Sequence, residues 1–106
     1  MIRKAFIMHL KPGNVADYEK RHNPIWSELR AIFNKQGVHN YSIFIDESTN
    51  QLFGYVEIED EARWSAIAQT EVCQKWWKYM QPLMLTCSPD NPKPKETALR
   101  EVFHID

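Results

Sequence analysis

The hydrophobic repeat of this chain changes its period several times, and the order of the changes limits the folds that the chain can adopt. Apolar residues favour a strand over Ile2 to Leu10 and then recur at steps of three and four between Asn14 and Gln36. Alternation returns over Val38 to Ile45 and again over Gln51 to Ile58. A period of two indicates a strand and a period of 3.6 indicates a helix. The chain is therefore predicted to begin as strand, helix, strand and strand.

The second half of the chain is predicted to add helices and a final strand. Glu59 to Glu71 begins a helical region, and Thr70 is in position to cap a further short helix. A proline-rich loop, Thr86 to Lys95, precedes a last strand over Leu99 to Ile105. The order β-α-β-β-α-β predicts a ferredoxin-like α+β fold with an antiparallel sheet, formed by residues 1–106 as a single domain.

Pro24 lies inside the first helical pattern. Proline removes a backbone donor and disfavours helical conformation in the residue before it. We therefore expect a kink or a restart of the helix near Asn23. Asn14 is the expected N-cap, and Gly37 is expected to end the helix.

Strands one and three carry apolar side chains on both faces. In the first strand Ala5 and Ile7 alternate with Phe6 and Met8. The third strand has Phe53 and Tyr55 on one face, and Leu52, Gly54, Val56 and Ile58 on the other. A sheet with one face in water would alternate more cleanly between apolar and polar residues. We therefore expect a homodimer in which two sheets face each other, as a dimeric α/β barrel.

Composition and charge exclude several kinds of partner. With 13 Lys plus Arg against 14 Asp plus Glu, the chain lacks the positive surplus that nucleic-acid binding requires. The apolar stretch at the N-terminus is too short to cross a membrane or to act as a secretory signal, so we expect a cytoplasmic protein without a membrane partner. Cys73 and Cys87 are expected to be free thiols, and they lack the spacing of a metal site.

Tyr18 and His22 are candidate site residues because they lie four apart and so share one helix face. The break expected near Pro24 would place His22 where the backbone can open a cleft. An imidazole, with an ordinary pKa of about 6.5, can give or take a proton near neutral pH. The alternative is a structural pair packed on the sheet, with its polar atoms satisfied by neighbours.

Tyr41, Trp76 and Trp77 are the other candidates. Tyr41 is predicted on a strand face shared with His39 and Ile43, where it could be a core aromatic or a site residue. Adjacent helix residues point about 100° apart, so one tryptophan can enter the core while the other lines a pocket or an interface. Tryptophan rings also pack against the C–H surface of sugars, and the indole N–H can donate to a hydroxyl.

Several segments together resemble the L-rhamnose mutarotase family, in the same order and at the same separations over essentially the whole chain. They are Met1 to Phe6, Arg21 to Trp26, His39 to Tyr41, and Val72 to Met80. The resemblance implies a homodimer of ferredoxin-like fold that interconverts the α and β anomers of L-rhamnose. It also implies that His22 is the proton donor and that Tyr18, Tyr41, Trp76 and Trp77 contact the sugar.

The implied chemistry needs neither a metal nor another cofactor. Mutarotation protonates the ring oxygen while the anomeric hydroxyl loses its proton; the ring opens, the aldehyde rotates, and the ring closes on the other face. His22 is the candidate acid at the ring oxygen, and a tyrosine hydroxyl or a bound water could be the base. Two other functions stay open: a cofactor-free monooxygenase on a dimeric α+β barrel, and a non-catalytic sugar-binding module.

Overall fold

The chain forms a four-stranded antiparallel sheet in the order β2-β3-β1-β6, with helices against one face. The computed structural model describes residues 1–106. The elements are β1 (Ile2–His9), α1 (Val15–His22), α2 (Ser27–Lys35), β2 (Val38–Asp46), β3 (Gln51–Ile58), α3 (Glu61–Ile67), α4 (Glu71–Met80), β4 (Thr86–Ser88), β5 (Asn91–Pro94) and β6 (Thr97–Leu99). β4 and β5 form a separate two-stranded hairpin. This topology confirms the predicted ferredoxin-like fold. No helix of the chain is both long enough and apolar enough to cross a membrane.

The helix-facing side of the sheet, called here the inner face, carries the core. Leu52, Val56 and Ile58 of β3 are almost completely buried there, and Phe6 and Met8 of β1 lie beside them. These side chains alternate along their strands, as the period of two requires. Together with buried residues of the helices, they form one continuous hydrophobic core.

The opposite side, called here the outer face, is also apolar at its centre. Its apolar side chains form two neighbouring rows: Phe44, Phe53 and Ile7 in one, and Tyr55, Ala5 and Leu99 in the other. We call these six residues the apolar band. Polar rows flank the band on both sides, one built on Glu57 and the other on Gln51.

The helix break near Pro24 is confirmed as a complete restart. α1 ends at His22, the Asn23–Pro24 peptide bond is cis, and α2 begins at Ser27. Asn14 is the N-cap residue of α1, as predicted, and its carbonyl accepts from the N–H of Tyr18 at 2.9 Å. Its side chain makes no capping bond and instead donates to backbone carbonyls of the preceding turn.

A bulge in β2 overturns the prediction that His39 shares a face with Tyr41. The register shifts between His39 and Ser42, and Asn40 adopts a left-handed conformation with φ of 48°. The extra residue returns Tyr41 to the inner face and leaves His39 exposed on the outer side. Asparagine tolerates this backbone conformation better than most residues do.

The C-terminal segment differs most from prediction. The last strand spans only Thr97–Leu99 rather than Leu99 to Ile105, because the pattern of alternating apolar residues does not by itself supply a neighbouring strand. Residues 100–106, called here the tail, have no regular structure. The segment Thr86 to Lys95 is not a plain loop, since it holds the β4–β5 hairpin. Pro89 lies in its turn, and Pro92 and Pro94 lie in the short strand β5, where few ladder bonds are lost.

Both later helices begin at capping residues. The Asp60 side chain accepts from the backbone N–H of Arg63 at 2.9 Å, which caps α3. The Thr70 hydroxyl accepts from the backbone N–H of Cys73 at 3.2 Å, and this confirms the predicted cap of α4. The Thr70 hydroxyl also donates to the carbonyl of Ile67 at 2.7 Å, so it ties the end of α3 to the start of α4.

Candidate active site

A cavity of about 590 Å³ opens between α1, α2 and the inner face at β2. Its lining includes four of the five predicted site residues: Tyr18, His22, Tyr41 and Trp76. They come from α1, β2 and α4, so only the tertiary fold brings them together. The fifth, Trp77, does not line this cavity.

His22 is fixed in orientation by contacts on three sides. Its Nδ1 lies 2.8 Å from the carbonyl oxygen of Tyr18, one turn earlier in α1. The Tyr18 ring lies against the imidazole with 4.3 Å between ring centroids, and the Trp76 ring meets it edge-on at 5.1 Å. A carbonyl oxygen can only accept, so Nδ1 carries the hydrogen of this bond. Nε2 is therefore the ring nitrogen that remains available for chemistry.

Burial controls the protonation of the aromatic side chains at the cavity. Burial lowers the pKa of His22, and the bond to the Tyr18 carbonyl opposes this only in part, so the neutral imidazole dominates at pH 7. Burial also raises the pKa of Tyr18 and of Tyr41 well above the ordinary value, and for Tyr41 the nearby Tyr18 and Glu96 add to the effect. Both phenols therefore stay protonated.

Several polar atoms of these side chains have no hydrogen-bond partner within the chain. The hydroxyls of Tyr18 and Tyr41, Nε2 of His22 and the indole N–H of Trp76 make no hydrogen bond with the protein, and no fully buried side-chain nitrogen or oxygen lacks a partner. These atoms are therefore accessible rather than sealed in the core. Several donors and acceptors beside aromatic rings suit a ligand that carries many hydroxyl groups.

Trp77 lies on a second cavity of about 480 Å³, between α3, α4 and the sheet. Phe33, Tyr41 and Trp76 line both cavities, so they form the wall between them. Trp76 is buried in the core and Trp77 is half-buried, which matches the expectation that the pair would divide between the core and a pocket. Cys73 also lines the second cavity, where burial raises the pKa of its thiol to about 11.

Arg21 and Tyr79 support the site, and sequence reasoning missed this pairing. Arg21 donates to the backbone carbonyl of Tyr79 at 2.6 Å, and its guanidinium lies 4.3 Å above the Tyr79 ring. The Tyr79 ring packs against Trp26 and Trp76. These contacts hold the end of α1, with His22, against α4. The partners lie 58 residues apart, so only the adjacency of Arg21 to His22 could have suggested the role.

His39 also lines the cavity, although its side chain is exposed and is paired with a charged side chain at the surface. Its Nε2 lies 2.7 Å from the Glu59 carboxylate, which also pairs with Arg63 at 3.1 Å. Arg63 in turn donates to the carbonyl of Lys35 at the end of α2. No three His, Cys, Asp or Glu side chains in the chain are grouped so that they could hold a metal ion.

Comparison with known proteins identifies relatives along the whole chain. The model of the L-rhamnose mutarotase family matches residues 3–105. The L-rhamnose mutarotase of Opitutus terrae is 58% identical over 108 residues, which cover 100% of both chains. The crystal structure of an L-rhamnose mutarotase from Formosa agariphila superimposes with a TM-score of 0.90 at 37% identity, again over 100% of both chains.

A more distant likeness concerns the fold alone. The crystal structure of a protein from Bordetella bronchiseptica, described as a putative antibiotic biosynthesis monooxygenase, has a TM-score of 0.66 at 17% identity. It covers 95% of this chain and 96% of the other. Because function depends on the site rather than on the fold, this likeness adds no support for oxygen chemistry here.

Proposed function

Because the chain belongs to the L-rhamnose mutarotase family, we propose that it is an isomerase that interconverts the α and β anomers of L-rhamnose. Residues 1–106 would carry this activity as one domain. The reaction opens the sugar ring, lets the aldehyde rotate about its bond, and closes the ring on the other face. No hydride moves and no carbanion forms, so acid–base groups of the protein suffice for the chemistry.

The observation that best supports this proposal is the set of unpartnered polar atoms around one aromatic cavity. The hydroxyls of Tyr18 and Tyr41 and the indole N–H of Trp76 are free to bond to sugar hydroxyls. The Trp76 ring lines this cavity, and tryptophan rings pack against the C–H side of sugar rings. A cavity of about 590 Å³ falls in the range of small-molecule sites.

His22 is our proposed proton donor to the ring oxygen. Since Nδ1 is engaged with the Tyr18 carbonyl, the transferred proton must be carried by Nε2. One well-placed acid or base supplies a factor of roughly 10² to 10⁴. Holding the open-chain aldehyde ready to close again adds an orientation effect to this factor.

Trp77 is proposed to contact the sugar from the side of the second cavity. Phe33, Tyr41 and Trp76 separate the two cavities, so a sugar that reaches past these rings would meet Trp77 in the second cavity. The indole N–H of Trp77 makes no bond within the chain, and it is therefore available to a hydroxyl.

We also propose that the protein is a homodimer joined through the outer face. Phe44 is 67% exposed within the apolar band, and Val102, Phe103 and Ile105 of the tail are more than three-quarters exposed. An apolar centre flanked by polar rows is the usual plan of a protein–protein interface. A second copy would cover both the band and the tail. We assign the protein to the cytoplasm, a compartment that suits its two unpaired cysteines.

The test of function is saturation-transfer NMR on the anomeric protons of L-rhamnose, with and without the protein. We expect faster α/β exchange when the protein is present, and the same acceleration after treatment with a chelator. Binding of rhamnose without faster exchange would instead identify a sugar-binding module. If dioxygen were consumed in the presence of an apolar substrate, a monooxygenase would be favoured.

A further inference from the structure

Building on the proposed function, we propose that His22 is the general base as well as the acid: Nε2 takes the proton of the anomeric hydroxyl and passes it to the ring oxygen. The bond from Nδ1–H to the Tyr18 carbonyl carries this inference. It fixes one tautomer, because the carbonyl cannot donate and would be left facing a lone pair if Nδ1 lost its hydrogen. In the neutral ring Nε2 then has a lone pair and no hydrogen. The resting side chain is therefore ready to accept a proton before it donates one.

The other candidates for the base are poorly suited. The phenols of Tyr18 and Tyr41 lie at the cavity, but burial raises the pKa of each, so phenolate is scarce near neutral pH. His39 directs its Nε2 to Glu59 at a distance of 2.7 Å. Glu19 is the one carboxylate that lines the cavity, and it lies on the exposed side of α1. Only His22 combines a free acceptor, a fixed orientation and partial burial.

The transfer is balanced without any other reactant. The O–H bond of the anomeric hydroxyl breaks as Nε2–H forms, the anomeric carbon gains a double bond to that oxygen, and its bond to the ring oxygen breaks. The electron pair of the broken bond stays on the ring oxygen, which takes the proton from Nε2. The imidazole returns to its neutral form. Because both oxygens are bonded to the same carbon, one nitrogen can serve both without a large displacement of the sugar.

This arrangement sets the sign of the pH dependence. A neutral base requires an unprotonated His22, so the catalysed rate is constant above the pKa of His22 and falls below it. An imidazolium that only donates would give the opposite profile, with the rate falling as pH rises. The titratable or charged side chains sharing the cavity with His22 are Tyr18 and Glu19 of α1, Arg30 of α2, and His39 and Tyr41 of β2. From α4 it meets uncharged Trp76, and Tyr79 lies beyond, beneath Arg21.

The experiment pairs a rate profile with a measurement of the tautomer. Exchange of L-rhamnose is followed by NMR from pH 5 to 8, with the uncatalysed rate subtracted at each pH. In parallel, two-bond ¹H–¹⁵N correlation of the wild-type protein reports which ring nitrogen of His22 carries hydrogen and gives its pKa. We expect the Nδ1–H tautomer, a flat rate above the measured pKa, and a fall of about tenfold per pH unit well below it.

Two variants complete the test. Glu19→Gln is expected to leave the rate within about twofold of wild type, and His22→Asn is expected to remove the acceleration. The inference is overturned by an Nε2–H tautomer, by a rate that falls as pH rises through the pKa of His22, or by a loss in Glu19→Gln comparable to that in His22→Asn. Absence of acceleration in the wild-type protein at every pH would instead refute the proposed function, and the tautomer measurement would still stand.

Discussion

At the scale of single residues, His22 and Tyr18 face the same cavity with different capacities for proton transfer. We predict that His22→Asn lowers the rate of anomer exchange by at least roughly 10², because asparagine keeps a polar side chain but cannot exchange a proton. Affinity for rhamnose should change little, since the lost interaction acts mainly in the transition state. The rate and the affinity are measured separately, by exchange NMR and by titration calorimetry.

Tyr18→Phe is the matched comparison for that variant. Its phenol stays protonated, so it is expected to bind the sugar rather than to transfer protons. Removing the hydroxyl should weaken binding by about 0.5–1.5 kcal/mol, the net value of one hydrogen bond. If Tyr18→Phe abolished exchange while His22→Asn kept it, the two roles would have to be reversed.

The burial of His22 also predicts how stability depends on pH. Its pKa is lower in the folded protein than in the unfolded chain, where it is about 6.5. Between these two pKa values the unfolded chain binds more protons, so the free energy of unfolding rises with pH and this contribution is complete above about 6.5. We predict that urea unfolding from pH 5 to 7.5 shows this loss on acidification in the wild-type protein and a weaker one in His22→Asn. Equal slopes for the two proteins would contradict the prediction.

At the scale of elements, Thr70 determines where α4 begins and so helps to place Trp76. Its hydroxyl accepts from the N–H of Cys73 and donates to the carbonyl of Ile67. We predict that Thr70→Ala lowers the free energy of unfolding by about 1 kcal/mol, the usual cost of losing an N-cap. Thr70→Ser keeps the hydroxyl and should lose much less. The comparison is made by urea denaturation, and equal losses in the two variants would show that the hydroxyl is not the cause.

The elements also show how far the sequence can predict this fold. Local sequence information correctly predicted β1 and β3 from the apolar period, the helix break from Pro24, and the cap of α4 from Thr70, because each depends on residues close together in the chain. It failed at the bulge of Asn40, which changes the face of His39 without changing the strand. It also failed in the last strand, since pairing depends on whether a neighbouring strand is present.

The candidate site was harder to predict from the sequence than the fold was. The spacing of Tyr18 and His22 on one helix face is local, and it indicated a possible site. Their convergence with Tyr41 and Trp76 arises only in the folded chain, so the family resemblance supplied it rather than the spacing. The hydrogen bond from Arg21 to the Tyr79 carbonyl joins two helices that are distant in sequence, so no local pattern could have indicated it.

At the scale of the whole molecule, the proposed homodimer would account both for the wrongly predicted last strand and for a sheet that is apolar on both faces. The tail keeps a pattern of apolar residues that has no partner in the chain, and Glu101 holds it to the sheet through a two-pronged pair with Arg3 at 2.8 and 2.9 Å. The tail therefore starts beside the apolar band and ends with its apolar side chains in solvent. A second copy, related by a twofold axis, would cover both surfaces at once.

This explanation leads to a prediction about assembly. Phe44 is the most exposed residue of the apolar band and contributes little to the core of its own chain. Phe44→Glu would bury one carboxylate from each copy in the proposed interface, where the cost of desolvation opposes association. We predict that sedimentation velocity at micromolar concentration gives a dimer for the wild type and a monomer for this variant. Ala66→Glu, on the exposed side of α3, adds the same charge away from the band and should remain a dimer. A wild-type monomer, or dissociation of both variants alike, would show that the outer face is not the interface.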